Sequence, residues 1–185
     1  MENFDLIFKT LNDGGSILYP TDTIWGLGCD ATNETACNNI FTIKNSPRNK
    51  SLIVLVDSFQ MLEKYVPEFS NVCYELAELA IKPLTIIYPK AIGLAPSVIA
   101  EDGSVGIRLT KDPICLKIIK GLKKPLVSTS ANISGEHYPT CFKDIPTILK
   151  EKVDFIVKER IDEKQIAPSQ IIKIGTDGSF KIIRK

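Results

Sequence analysis

The sequence predicts an α/β fold: one domain over residues 1–185, with a twisted sheet of mixed parallel and antiparallel strands flanked by helices. Two observations carry this. Short runs rich in Ile, Val, Leu or Tyr, bounded by Gly, Pro, Asp or Ser, alternate with stretches of helical periodicity, as buried strands and their connecting helices do. Near the C-terminus two such runs flank Thr176-Asp177-Gly178-Ser179, and an Asp-Gly pair favours a tight antiparallel hairpin. No internal repeat or low-complexity linker divides the chain.

The first expected strand is Ser16 to Tyr19. Asn33 can then cap a helix in which Ala36, Ile40 and Ile43 recur at i, i+4 and i+7. Leu52 to Val56 is the next strand. Ser70 starts a helix with Cys73, Leu76, Ala77 and Ala80 on one face, and Leu84 to Tyr88 and Val105 to Leu109 read as strands. Asp112-Pro113 is an N-cap followed by proline at the first helical position, where the missing N–H does no harm. Leu126 to Ser128 is a strand and Asp144 to Lys150 holds a short helix. The last strands are Val153 to Val157, Gln170 to Ile174 and Phe180 to Ile183. Lys158 to Pro168 is charged and aperiodic, hence a loop.

Composition excludes several function classes. With 44% hydrophobic and 24% charged residues the chain is neither disordered nor collagen-like. Its net charge of +1 argues against a binder held to nucleic acid by bulk charge. The acidic start MENFDLIFKT lacks the features of a signal peptide, and no apolar run is long enough to span a bilayer, so a soluble, cytoplasmic protein without membrane contact is expected. Cys29, Cys37, Cys73, Cys115 and Cys141 are widely spaced and His137 is the single histidine. That pattern suits reduced core thiols better than disulfides or a zinc cluster, and no protein metal site is expected.

Four segments are too polar or too rich in glycine for the strands they follow. Tyr19 to Gly28 offers small hydroxyls, Trp25 and two glycines, fitting either a ligand-approaching turn or a capped turn with Trp25 packed inward. Lys44 to Ser51 is locally +3 through Lys44, Arg48 and Lys50, which suits a polyanion or simply a solvated loop at a helix C-terminus. Arg108 lies within an otherwise apolar strand and must pair, with a ligand anion or with a carboxylate from elsewhere in the chain. Ser128 to Gly135 supplies four hydroxyls, an amide and a glycine, more than a helix cap requires. No nucleophile elbow, Walker loop or dinucleotide fingerprint is present. What remains is a site of Thr, Ser, Asn, Lys and Arg, able to orient anionic substrates and stabilise developing charge.

Together these segments resemble the YrdC/TsaC family. The resemblance rests on Pro20-Thr21-Asp22-Thr23-Ile24-Trp25-Gly26-Leu27-Gly28-Cys29-Asp30-Ala31, the basic loop Lys44 to Leu52, Pro83-Leu84-Thr85, Val105-Gly106-Ile107-Arg108, Ser128 to Gly135 and Pro168-Ser169, in that order. It implies a YrdC-like fold and threonylcarbamoyl-AMP synthase activity, a nucleotidyl transfer. L-threonine and bicarbonate form a carbamate that attacks the α-phosphorus of ATP, pyrophosphate leaves, and downstream threonylcarbamoyl-transfer proteins use the adenylate to modify tRNA.

The resemblance assigns Thr23, Arg108, Ser128 and Ser169 to L-threonine. Lys44, Lys50, Ser104, Ser130, Asn132, Tyr138 and Arg184 fall on the ATP side, with Lys44, Ser130 and Asn132 as the catalytic group. Mg²⁺ is expected to arrive with the nucleotide. One departure stands out: Ser46 occupies the place of a phosphate-contacting arginine in the family's Lys-x-Arg-Pro pattern, and Ser51 the place of a common proline. Arg48 is expected to reach the same phosphates. The rival reading, from another class, is a YrdC-like double-stranded RNA or tRNA-binding protein without synthase activity.

Overall fold

The computed structural model describes residues 3–47, 52–164, 167–175 and 179–185. Its elements run α1 (Phe4–Asn12), β1 (Ile17–Tyr19), β2 (Gly26–Gly28), α2 (Glu34–Ile43), β3 (Ile53–Val56), α3 (Phe59–Tyr65) and α4 (Val72–Leu79). There follow β4 (Leu84–Tyr88), β5 (Val105–Leu109), α5 (Pro113–Leu122), β6 (Leu126–Ser130), α6 (Thr147–Lys152), β7 (Phe155–Ile156), β8 (Gln170–Ile174) and β9 (Phe180–Arg184).

The local signals behave as their chemistry requires. The Asn33 side chain accepts from the Ala36 N–H and starts α2, and the Asp112 carboxylate accepts from the N–H groups of Ile114 and Cys115 at the head of α5. Such a cap contributes about 1 kcal/mol. The expected helix near Asp144 is divided: a 3₁₀ turn, Phe142–Asp144, precedes α6. Pro146 forces the break, because a residue before proline avoids the helical region. Three elements lie outside the expectations. α1 and α3 carry readable caps, Asn3 and Ser58, each accepting an N–H from three residues on. β2 is Gly-Leu-Gly and has no strand signature at all.

The strands form one mixed sheet in the order β7-β1-β2-β6-β3-β5-β4-β8-β9 among the described residues. β1/β7, β3/β5 and β4/β8 are parallel pairs, and the others are antiparallel. β6 joins the two halves: Leu126 to Ser128 pair with β3, and Thr129 and Ser130 with β2. β8 and β9 are antiparallel as expected, with a bulge between Ile171 and Ile172, while residues 176–178 of the expected Asp-Gly turn lie outside the described residues.

Strand alternation then decides where the site can be. Val54 and Val56 of β3, Ile107 of β5, Ile86 of β4 and Ile172 of β8 point to one face, where α2, α3 and Cys73 of α4 bury them. Leu55 and Leu126 point to the opposite face, where α1 and α5 cover them together with Ile17 and Tyr19. That cover reaches only part of the second face. Ile53, Gly106, Thr85 and Ile171 share it but lie beyond α1 and α5, and they floor a cavity. Among the described residues no helix is long and apolar enough to cross a membrane.

Candidate functional site

The cavity measures about 880 Å³, a volume suited to a ligand the size of a nucleotide or larger. Thr23, Ser104, Arg108, Ser128, Ser130, Tyr138, Ser169 and Arg184, separated by up to 161 residues in sequence, all line it.

Arg108 is the focal group. β5 carries it into the cavity wall with only 3% of its surface exposed. Its Nη1 donates to Thr23 Oγ1 at 3.2 Å, and its Nη2 lies 3.2 Å from Asp22 Oδ1. The second contact has the separation of an ion pair without the alignment of a hydrogen bond, so Arg108 Nε, Arg108 Nη2 and Asp22 Oδ1 are all left without hydrogen-bond partners. A structural carboxylate, Asp22, thus stands within ion-pair distance of Arg108, while Nε and Nη2, buried in the cavity wall, make no hydrogen bond within the protein. Burial raises the Asp22 pKa although the Arg108 charge pulls it down. The Thr21-Thr23 turn is internally knit, with the Thr21 and Thr23 hydroxyls 2.8 Å apart and the Thr23 N–H donating to Thr21 Oγ1 at 3.0 Å.

On the far wall the Ser169 and Thr85 hydroxyls are 2.8 Å apart, and Arg184 donates to the Ser169 carbonyl at 2.8 Å and to its hydroxyl at 3.3 Å. Burial first, then the Arg108 charge, lowers the Arg184 pKa. Two guanidinium groups that repel one another across a cavity of hydroxyls make a site for an anion. At the rim Ser104 donates to Asp102, which also accepts from Lys173 at 2.7 Å. Lys173 first and Ser104 second hold the Asp102 carboxyl well below the usual carboxylate range.

Lys44, Asn132 and Ser46 occupy a different layer, outside the cavity lining. The Lys44 ammonium, 6% exposed, donates to the carbonyl oxygens of Ser130 and Asn132, the latter at 2.8 Å. The Asn132 amide donates to the Ile133 and Glu136 carbonyls at 3.0 and 2.7 Å, and the Ser46 hydroxyl meets that of Ser134 at 3.3 Å. These bonds brace the polar turn that follows β6. Arg48, Lys50 and Ser51 lie outside the described residues.

The glycines of β2 serve the sheet first. A Cβ on Gly28 would stand 2.0 Å from the Val127 carbonyl oxygen, and one on Gly26 would stand 3.1 Å from the Tyr19 ring. Trp25 packs inward, fully buried against Phe142 at a centroid distance of 5.0 Å, and it also lines the cavity. Sequence reasoning assigned no role to Asp22, Thr85, Asp102 or Lys173. Thr85 was readable as a hydroxyl inside an apolar strand, whereas the others depend on pairing across the fold. Among the described residues no three His, Cys, Asp or Glu side chains cluster to hold a metal.

Comparison with known proteins gives consistent matches. The family model Sua5/YciO/YrdC, described as telomere recombination, matches residues 9–185. A Vibrio vulnificus protein named threonylcarbamoyl-AMP synthase is 30% identical over 180 residues, 96% of each chain. The crystal structure of P. abyssi Sua5 complexed with L-threonine superposes with a TM-score of 0.85 at 28% identity over 92% of this chain, which spans 50% of that longer one. E. coli YciO shares the fold, with a TM-score of 0.83 at 23% identity over 99% of this chain and 90% of its own.

Proposed function

Because the chain belongs to the Sua5/YciO/YrdC family, we propose that its cavity is the active site of a threonylcarbamoyl-AMP synthase serving tRNA modification in the cytoplasm. The observation that carries the reading is Arg108, buried in the cavity wall with no hydrogen bond made by its Nε or Nη2 and with a second guanidinium, Arg184, in its field. The Nε/Nη2 edge of a guanidinium can donate two parallel hydrogen bonds to a carboxylate. L-threonine's carboxylate takes it, and the hydroxyls of Thr23, Ser128 and Ser169 meet the remaining polar atoms. The amine and bicarbonate condense to the carbamate with loss of water, and a carbamate oxygen attacks the α-phosphorus of ATP and displaces pyrophosphate.

Ser104, Ser130, Tyr138 and Arg184 hold the nucleotide. Lys44 and Asn132 set the position of Ser130 and its turn, and phosphate binding is assigned to Ser46, Arg48 and Lys50 of the basic loop. Mg²⁺ would arrive with ATP and would neutralise phosphate charge. Of the two carboxylates of the cavity wall, Glu101 and Asp102, the second is engaged by Lys173 and Ser104. The adenylate passes to threonylcarbamoyl-transfer partners acting on tRNA.

Purified protein given ATP, Mg²⁺ and bicarbonate should release pyrophosphate only when L-threonine is added. Release without threonine, or none with it, counts against the synthase. Salt-sensitive binding of double-stranded RNA or tRNA without that release would favour the RNA-binding alternative.

A further inference from the structure

Arg160 stands in the loop between β7 and β8, outside the cavity, yet it is bonded more fully than a loop arginine needs to be. It adopts φ of +57°, a left-handed conformation that costs a non-glycine residue about 1 kcal/mol or more. Three contacts hold it there. Its Nη1 meets the Asp112 carboxylate at 2.6 Å, its Nε meets Glu163 at 2.7 Å, and its Nη2 donates to the Thr21 carbonyl at 3.1 Å. Asp112 is itself fixed as the N-cap of α5.

From the Thr21 carbonyl an unbroken series of contacts leads to the cavity. Thr21 Oγ1 is 2.8 Å from Thr23 Oγ1, and Thr23 Oγ1 accepts from Arg108 Nη1. Asp22, between the two threonines, supplies the counter-charge 3.2 Å from Arg108 Nη2. The turn that orients the Arg108 fork is therefore gripped from behind by Arg160.

We propose that Arg160 is a positioning residue for Arg108, acting through the Thr21 to Thr23 turn and thereby setting affinity for the carboxylate of the bound amino acid. The ligand's identity rests on the synthase reading; the coupling between the two arginines does not. Lysine at 160 can keep an ion pair with Asp112 but cannot also reach Glu163 and the Thr21 carbonyl as a guanidinium does.

The test is a double-mutant cycle read by calorimetric titration of L-threonine, with ATP titrated as control. Arg160→Lys should weaken threonine binding about tenfold and leave ATP affinity within about twofold. Arg160→Gln should do the same if its melting temperature shows it folded. Once Arg108→Lys has disordered the fork, adding Arg160→Lys should cost less than about a further twofold. Losses that simply multiply, or equal losses for ATP, overturn the proposal and leave the synthase reading intact. Wild-type protein that binds no L-threonine overturns both.

Discussion

Two cations are buried beside the sheet, and they differ in what their donors do. Lys44, at the end of α2, turns its ammonium onto the carbonyls of Ser130 and Asn132 and so closes a turn. Arg108, in β5, is buried more deeply yet has two groups, Nε and Nη2, that make no hydrogen bond in the wall of a cavity. Burial alone therefore says little about role. A buried donor without a partner costs about 1–3 kcal/mol, a penalty that a stable fold retains where a ligand removes it.

The sharpest way to break the contrast is Arg108→Ala. It should lower kcat/KM for L-threonine by more than about 100-fold in a pyrophosphate-release assay, because a buried charge partner is worth roughly 2–5 kcal/mol. A loss confined to ATP affinity would place Arg108 on the wrong ligand.

Next in size is Gly28→Ala, which acts on both regions at once. Its Cβ must displace the Val127 backbone, and β6 carries Ser128 on the Arg108 side and Ser130 on the Lys44 side. Overpacking of this kind costs about 1–3 kcal/mol, a fall of roughly 2–12 °C in melting temperature for a chain of this size. An unchanged melting curve would mean that β2 and β6 can part without consequence.

Lys44→Met should separate the two cations. Removing the ammonium takes the Lys44 donor from the Asn132 carbonyl, while that of Ser130 keeps the Asn132 N–H, and should cost about 1–3 kcal/mol in urea unfolding. The KM for threonine should change less than with Arg108→Ala. A variant as stable as wild type but unable to use ATP would move Lys44 from the bracing layer into direct contact with phosphate.

The smallest effect concerns the carboxylates beside the cavity. Asp102 is held below its ordinary pKa, so the stability it adds is present above the unfolded value of about 4 and is lost as pH falls through that value and below. The Asp102 and Lys173 side chains are each about half exposed, which limits the gain to under about 0.5 kcal/mol. Asp22 has the opposite sign: its pKa is raised, so its contribution is full at low pH and is lost as pH rises through the raised value. Urea midpoints from pH 3 to 7 for Asp102→Asn and Asp22→Asn should diverge from wild type in opposite directions.

Local chemistry was legible in the sequence and long-range pairing was not. The caps at Asn33 and Asp112 and the strands at β4, β5 and β8 are written in adjacent residues. Arg108 was recognisable because an arginine in an apolar strand demands a partner, but nothing near it named Asp22. β2 escaped notice because its glycines answer to Tyr19 and Val127, residues that meet it only in the sheet. The polar run after β6 looked like a ligand cradle, and distinguishing Ser130 on the cavity from Asn132 behind it required the fold.

The pairing of β1 with β7 has a consequence for biosynthesis. Ile17 and Leu18 wait for Phe155 and Ile156, and the Ser16 N–H waits for the Asp154 carboxylate that it meets at 2.7 Å. At about 5–20 residues per second, the ribosome needs on the order of ten seconds to deliver those partners. Until then one edge of β1 is open to any neighbouring strand, so the nascent chain is most prone to mispairing early in translation and is relieved only as its last quarter emerges.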